Sequence, residues 1–488
     1  MAASGEEDRL LESSTPSRPK SCYTPARYVL TLLMFWGYVS LSIFRSEMNV
    51  TILSITSSSK TSDHHNQTKV AIRKPQFNST ENTTDHSIGS ENTTYHWTSF
   101  EVSMILGGFF WGYCVMQIPG SCVCTKTGGK LALGLCGLAN SLFSVLIPFA
   151  AQLGPEAVVI CRVLSGVTQS VSRPSEFQII TRWAPSHQIH LLRAIILAGV
   201  SFGVMLTYSL DSFVCEHFSW TYVFYIHSAI GFTWSVFWLT MIHDSPEDHP
   251  RMSQEELDLI VETRVTSPAW QNERLNWFKL LSSASFWAPA FVGFSFIWTR
   301  VVFESLIPGY LHDGLGFGLV DTGTATTITI CSVFLTGPLA GFLSDRLISR
   351  DFLSKKNTRK LMISIGLFVP VVILLTLCTT ENQLVTLILI STAMGASEFS
   401  LTGHINNFID LTPKFSGQLF GVANTFGAMS GFIAPLVLSG IGSNEEFSLL
   451  TQWRVFFIIS SCVLSIGGFL FLVFGQGNIQ ESWIKEKT

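Results

Sequence analysis

Residues 243–264 read HDSPEDHPRMSQEELDLIVETR, and this polar stretch decides how the chain is divided. It sits inside a longer polar segment, 242–284, with apolar runs on both sides. Before it come runs near 28–53, 98–121, 131–151, 157–180, 194–213 and 220–241. After it come runs near 285–307, 322–344, 361–379, 383–410, 417–440 and 455–476. Each run is about 20 residues long or more, enough for a helix to cross roughly 30 Å of hydrocarbon. Six runs on either side of one polar break suggest an all-α membrane protein of twelve helices in two six-helix bundles.

Composition agrees. The chain has 488 residues, 47% of them hydrophobic and only 13% charged, whereas soluble domains are about 25% charged. A net charge of -4 argues against nucleic acid as a partner, because that partner calls for a basic surface. The ten cysteines fall mostly in or beside the apolar runs and do not form a disulfide framework. Cys122 and Cys124 make an isolated CxC with no nearby His or second pair, so it reads as packing and no metal is expected. The polar start up to Ala26 lacks a short apolar core with a cleavage site, so the first run reads as a retained anchor.

The organisation expected is therefore a cytoplasmic tail at 1–27, a first bundle at 28–241 containing a long polar loop at 54–97, a connector at 242–284, a second bundle at 285–476 and a tail at 477–488. Lys and Arg concentrate in the loops at 122–130, 181–193, 242–284, 345–360 and 411–416. The positive-inside bias puts these loops, and both termini, in the cytoplasm. Asn66, Asn78, Asn82 and Asn92 in the long loop are N-x-S/T acceptors, which places that loop in the lumen as a glycosylated segment. Asn49 also matches but lies at the edge of the first helix. In the N-terminal tail, Glu6 precedes Leu10 and Leu11 in the form that adaptor complexes read for sorting to endosomes and lysosomes. Replacing both leucines by Ala is expected to redirect the protein to the cell surface.

Two six-helix halves joined by a cytoplasmic loop resemble the major facilitator fold, and local strings resemble one branch of it. GGFFWGYCVMQIPG at 107–120 and the turn at Gly128, Gly129 and Lys130 resemble the family of sialin, the vesicular glutamate transporters and the type I sodium/phosphate cotransporters. So do Arg162, Gly166 and Pro174, then RWAP at 182–185, WTYVFY at 220–225, and Trp298 with IPGY at 307–310. NFIDLTP at 407–413, Ser416 to Gly421, Asn424 to Phe426 and Pro435 resemble its helix 10 to 11 signature. The resemblance runs from Tyr28 to Trp483. It implies a secondary active or facilitated transporter of anions working by alternating access. The glycines at 107, 108, 112, 120, 337, 341, 417, 421, 427 and 431 read as close helix packing. The string from Gly341 to Arg346 resembles the superfamily's loop latch, whose first-half counterpart at 120–130 lacks the Asp.

Ionisable groups within a bilayer cost at least about 2.5 kcal/mol and mark candidate sites. Here they are Arg45, Glu47, Arg162, Arg173, Glu176, Arg300, Glu304, Glu398, His404 and Asp410. Arginines in the interior suit carboxylate or phosphate, which a guanidinium binds through paired hydrogen bonds. The resemblance implies an anion-associated Arg on helix 1. Counting from Gly37 places Arg45 there, whereas anchoring on Met48 to Thr51 places Glu47 there. Proton-coupled relatives carry two carboxylates after the helix 4 Arg, where this chain has Ser165 and Gln169, and Phe177 stands where some carry His. Coupling therefore falls to Glu176 or Glu304, to sodium, or to membrane potential. Arg300 and Glu304, four apart, share a helical face and suit a mutual salt bridge, and Asp410 is expected to fix an inner helix end.

The expected solute contacts are Arg45, Tyr113, Arg162 and Arg300, with Asn407 and Asn424 opposite. No catalytic constellation or phosphate-binding loop appears, so the chain is not read as an enzyme, and no cofactor is expected beyond a coupling H+ or Na+. Partners are a small anion (acidic sugar, dicarboxylate or amino acid, urate or phosphate), membrane lipid and an adaptor complex at the tail. The membrane expected is lysosomal, endosomal or vesicular, or alternatively the plasma membrane. The alternative from another class is a transporter-like receptor, sensor or trafficking protein that has lost coupled transport.

Overall fold

The computed structural model describes residues 25–56, 94–185, 188–250, 252–263, 273–412, 415–444 and 446–486. Eleven helices there are long and apolar enough to span a membrane. They are α1 (Ala26–Thr56), α2 (Ser99–Thr127), α3 (Gly129–Leu153), α5 (Leu191–His217) and α6 (Thr221–Met241) in the first half, and α7 (Ala284–Gly314), α8 (Leu319–Ser349), α9 (Lys355–Leu377), α10 (Gln383–Leu411), α11 (Ser416–Gly442) and α12 (Leu449–Phe474) in the second. The twelfth, α4, runs Pro155–Gln169 and then Ser172–Trp183. Backbone groups in lipid must be satisfied within a segment, which is why the apolar runs become helices. The all-helical fold class is borne out, with one short ribbon, β1 (Glu273–Leu275) against β2 (Ile484–Glu486), added outside the helices.

Within the first half α2 packs on α4, α1 on α5 and α3 on α6. Within the second α9 packs on α10 and α12, α8 on α10, and α7 on α11 and α12. The halves meet through α5 against α8 and α2 against α11. Gly112 and Gly166 allow the α2–α4 contact: a Cβ on either would collide with the backbone carbonyl of Val163 or Phe109 respectively. Gly107, Gly108, Gly120, Gly427 and Gly431 are likewise pressed against neighbours. Gly341, Gly417 and Gly421 are not, since a Cβ there would meet nothing within 4 Å. For those three, the packing expectation is corrected.

That difference has a direction. The end of the bundles that carries the α2–α3 turn, the start of α1 and the end of α12 is the terminus side, and the opposite end the loop side. On the loop side the halves are joined by Ser103 Oγ donating to the Pro435 carbonyl (2.9 Å), by Ser209 and Thr327 hydroxyls 2.9 Å apart, and by Gly323 seated on Tyr208 and Ser212. Cys114 reaches the Thr425 carbonyl at 3.7 Å near mid-depth. Gly341, Gly417 and Gly421 lie beyond that on the terminus side, where a Cβ would have open space.

On that side the helix ends are fixed within each half. Arg359 Nε donates to Asp410 at 2.8 Å and its Nη1 to Ser344 Oγ at 2.9 Å, tying α8, α9 and α10 together. Asp410 thus fixes the terminus-side end of α10. In the first half, Asp244 accepts from the Lys130 amide at 3.0 Å, at the start of α3. The connector thus supplies a carboxylate near the turn whose own motif lacks one, where a helix N-terminus favours it. Glu256 of the connector accepts from the Ala26 and Arg27 amides and pairs with the Arg27 guanidinium at 3.1 Å, anchoring the start of α1.

Candidate functional site

Two helices are broken where the halves face one another. α1 is interrupted at Glu47, between Ala26–Ser46 and Met48–Thr56. Arg162 of α4, only 2% exposed, donates from its two terminal nitrogens to the carbonyls of Phe44 and Arg45, each at 2.8 Å. Its guanidinium also lies over the Phe109 ring. Arg162 was expected to touch solute; instead its fork is engaged by the backbone of α1, and it acts by holding the turn that carries Arg45.

α7 takes π-helical form over Val301–Leu306 and again over Tyr310–Gly314. Pro308 explains the first, since it has no amide to give the Glu304 carbonyl four residues earlier and its ring crowds that carbonyl. The freed oxygen accepts a hydrogen bond from the Tyr208 hydroxyl of α5, while Asn49 of α1 donates to the same hydroxyl at 3.0 Å. A backbone group orphaned in one bundle is thereby satisfied from the other, and this forms part of the loop-side closure.

Below that closure the charged groups of both halves converge. Arg45 is half-buried and its guanidinium has no hydrogen bond or ion pair among the described residues, while Glu304, Arg300, Arg173 and Tyr113 all lie within its electrostatic range. Tyr113, also half-buried, stacks on Phe109 with centroids 5.8 Å apart, and its hydroxyl has no hydrogen bond among the described residues. Arg300 forms the expected ion pair with Glu304, and a second with Glu398 of α10 at 3.3 Å. With two carboxylates on one guanidinium, Arg300 is compensated and is not a free anion contact as expected. Asn424 is half-buried, and its side chain has no hydrogen-bond partner among the described residues. Asn407 is fully buried and donates to the Gln476 carbonyl at 2.7 Å, so it secures the segment after α12 and does not face Arg45.

Glu176, fully buried, accepts from the Tyr38 hydroxyl at 2.9 Å and pairs with Arg173 at 3.3 Å and Arg193 of α5 at 2.9 Å. The Arg173–Glu176 pairing was legible from spacing, but Tyr38 and Arg193 were not. Ser165 and Gln169 hydrogen bond to Asn140 of α3, the latter at 3.1 Å. A neutral amide network thus fills the positions where proton-coupled relatives carry carboxylates. Asn66, Asn78, Asn82, Asn92, Glu6, Leu10 and Leu11 lie outside the described residues.

Residues 39–435 match the Major Facilitator Superfamily. The chain belongs to that superfamily. It is similar to sheep sialin, with 28% identity over 98% of this chain and 95% of sialin, and to vesicular glutamate transporter 1 of Xenopus laevis, with 27% identity over 98% and 80% of the two chains. Among solved structures it resembles a D-xylose–proton symporter (TM-score 0.66, 12% identity, 92% of this chain and 98% of that one). It also resembles a bacterial homologue of the human lysosomal transporter Spinster (TM-score 0.65, 13% identity, 92% and 97%). These bear out the fold and the sialin-like resemblance: the protein is a multi-pass membrane transporter and not an enzyme.

Proposed function

We propose that the protein carries a small organic or inorganic anion by alternating access, with Arg45 as the principal anion contact. The observation that carries this reading is the guanidinium of Arg45, unpaired among the described residues and placed between the bundles while Arg162 and Arg300 are engaged by carbonyls and carboxylates. A desolvated guanidinium without a counter-ion favours an anion through charge-assisted hydrogen bonds. Tyr113, within range of Arg45, supplies a neutral donor to the same space, and Asn424 of α11 is the candidate contact from the other half. The similarity to sialin and to vesicular glutamate transporters supports acidic sugars or acidic amino acids, with urate and phosphate next.

The terminus side is the cytoplasmic side in this reading, and the closed side is lumenal and glycosylated at Asn66, Asn78, Asn82 and Asn92. The dileucine-like string and the names of the relatives support a lysosomal, endosomal or vesicular membrane, with an adaptor complex reading Glu6, Leu10 and Leu11. Glu304 and Glu398 share one arginine, so anion binding near Arg300 favours proton loading on one of them; this makes H+ the first coupling ion to test, ahead of Na+.

The test uses Leu10→Ala/Leu11→Ala to bring the protein to the cell surface, then measures uptake of labelled sialic acid, glutamate, urate and phosphate. Uptake of one anion, lost in Arg45→Ala and partly kept in Arg45→Lys, is expected. Normal uptake in Arg45→Ala removes Arg45 from the site. Surface protein that binds an anion without moving it points to the receptor-like alternative.

A further inference from the structure

We infer that His227, held between Glu47 and Asp211, is an intramembrane proton-binding site that couples solute movement to a proton gradient. The inference deepens the anion-transport reading and rests on it for the solute that is coupled.

His227 on α6 is fully buried. Its Nε2 lies 3.0 Å from Asp211 Oδ1 of α5 and its Nδ1 lies 3.4 Å from Glu47 Oε2 of α1. Asp211 is fully buried too, and no donor besides His227 reaches its oxygens among the described residues. Glu47 accepts from Ser144 of α3 at 2.8 Å. Four helices therefore enclose two carboxylates and one imidazole.

Charge balance indicates what the imidazole is for. The charged or titratable groups around it are Glu47 and Arg45 from α1, Arg162 from α4, Asp211 and Cys215 from α5, and, beyond Tyr208 of α5, Glu304 of α7; α3 contributes the neutral Ser144. Arg162 is within electrostatic range of Glu47 and compensates it. Asp211 then has only His227 as a counter-charge among the described residues. With the imidazole protonated the group is neutral; without that proton, one buried carboxylate is left uncompensated, at a cost of several kcal/mol for an isolated ion. The carboxylates face opposite ring nitrogens, which suits a proton passed along the imidazole and not one metal shared by both. No metal-binding group of three or more His, Cys, Asp or Glu exists among the described residues.

The position links this proton to transport. Glu47 occupies the break in α1, two residues after Arg45 and two before Asn49, whose amide donates to Tyr208. Asp211 follows Tyr208 by three residues, one helical turn. The helices that hold the proton therefore also carry the free guanidinium and the hydroxyl that closes the loop side. Loss of the proton sets Glu47 and Asp211 against each other and loosens both.

The test uses purified full-length protein in liposomes with a trapped pH dye, with His227→Gln and Asp211→Asn as variants. Two signals are read with sialic acid, glutamate, urate and phosphate: anion counterflow at equal pH, and proton entry evoked by the anion. Counterflow retained in either variant, with anion-evoked proton entry reduced to that of protein-free liposomes, is the expected result. Proton entry per anion equal to wild type in both variants overturns the site, as does wild-type counterflow without proton entry. If wild type moves none of the four anions, the anion reading fails separately. The proton site is then decided by pH-jump infrared difference spectra: an imidazole band in wild type that is absent from His227→Gln sustains it, and identical spectra refute it. The spectra of wild type and Asp211→Asn decide in the same way if His227→Gln does not fold.

Discussion

Replacing Tyr208 with Phe removes one hydroxyl and leaves the ring packed, yet it leaves the Glu304 carbonyl with no donor. Pro308 has no amide to offer it, and α7 has already widened into a π-turn around it. A buried acceptor left unsatisfied costs about 1–3 kcal/mol. The cost falls on the state closed on the loop side, because opening that side exposes the carbonyl to water. The closed-to-open ratio should therefore fall by about 5- to 150-fold. Ser212 reports the change: it is 1% exposed and pressed against Gly323 across the bundle interface. In a surface-directed Ser212→Cys background, a membrane-impermeant maleimide should label the Tyr208→Phe protein faster than the parent by a factor in that range. Equal labelling rates at equal surface abundance would refute the assignment of this hydroxyl to the closure.

Other outcomes follow from the same contacts. Arg162→Ala removes two charge-assisted hydrogen bonds to α1, each worth about 1.5–3 kcal/mol, and should lower thermal stability in detergent and abolish uptake, whereas a phenotype confined to anion affinity would return Arg162 to the solute. Asp410→Asn leaves Arg359 without its carboxylate partner and should destabilise by up to about 3–5 kcal/mol, with Arg359→Met/Asp410→Leu recovering much of the loss, since an apolar pair can replace a buried ion pair; melting curves of the three variants decide this. Arg300→Ala strands Glu304 and Glu398 together and should reduce protein level, with Arg300→Ala/Glu398→Gln restoring part of it; an Arg300→Ala protein of normal abundance would show that the ion pairs contribute little. Endoglycosidase should sharpen the gel mobility of the protein, and each of the Asn66, Asn78, Asn82 and Asn92→Gln variants should remove one step.

The sequence and the structure divide the explanation unevenly. All twelve helices were legible, because a run of about 20 apolar residues has one viable backbone form in lipid. The Arg300–Glu304 pair and the Arg173–Glu176 pair were legible because residues three or four apart share a helical face. Asp211 and His227 lie within apolar runs and satisfy the same intramembrane-charge criterion that singled out Arg45, so a complete application of it would have found them. Arg162 could not be distinguished from Arg45 by sequence, since both are interior arginines; what separates them is whether a neighbouring helix offers carbonyls. Asn407 fell on the family signature but belongs to the packing of the segment after α12.

Apolar periodicity and loop charge thus set the helices, their grouping in two halves and the expected orientation, because each depends on residues near one another in the chain. Which arginine stays free, which carboxylate answers Arg300, and which imidazole stands between two acids depend on contacts between helices far apart in sequence. Asp244 reaches Lys130 from the connector, Tyr208 reaches the carbonyl that Pro308 released, and His227 meets Glu47 across 180 positions. Only the packed bundles bring such partners within hydrogen-bond distance, and a buried polar group's role is set by the partner it finds there.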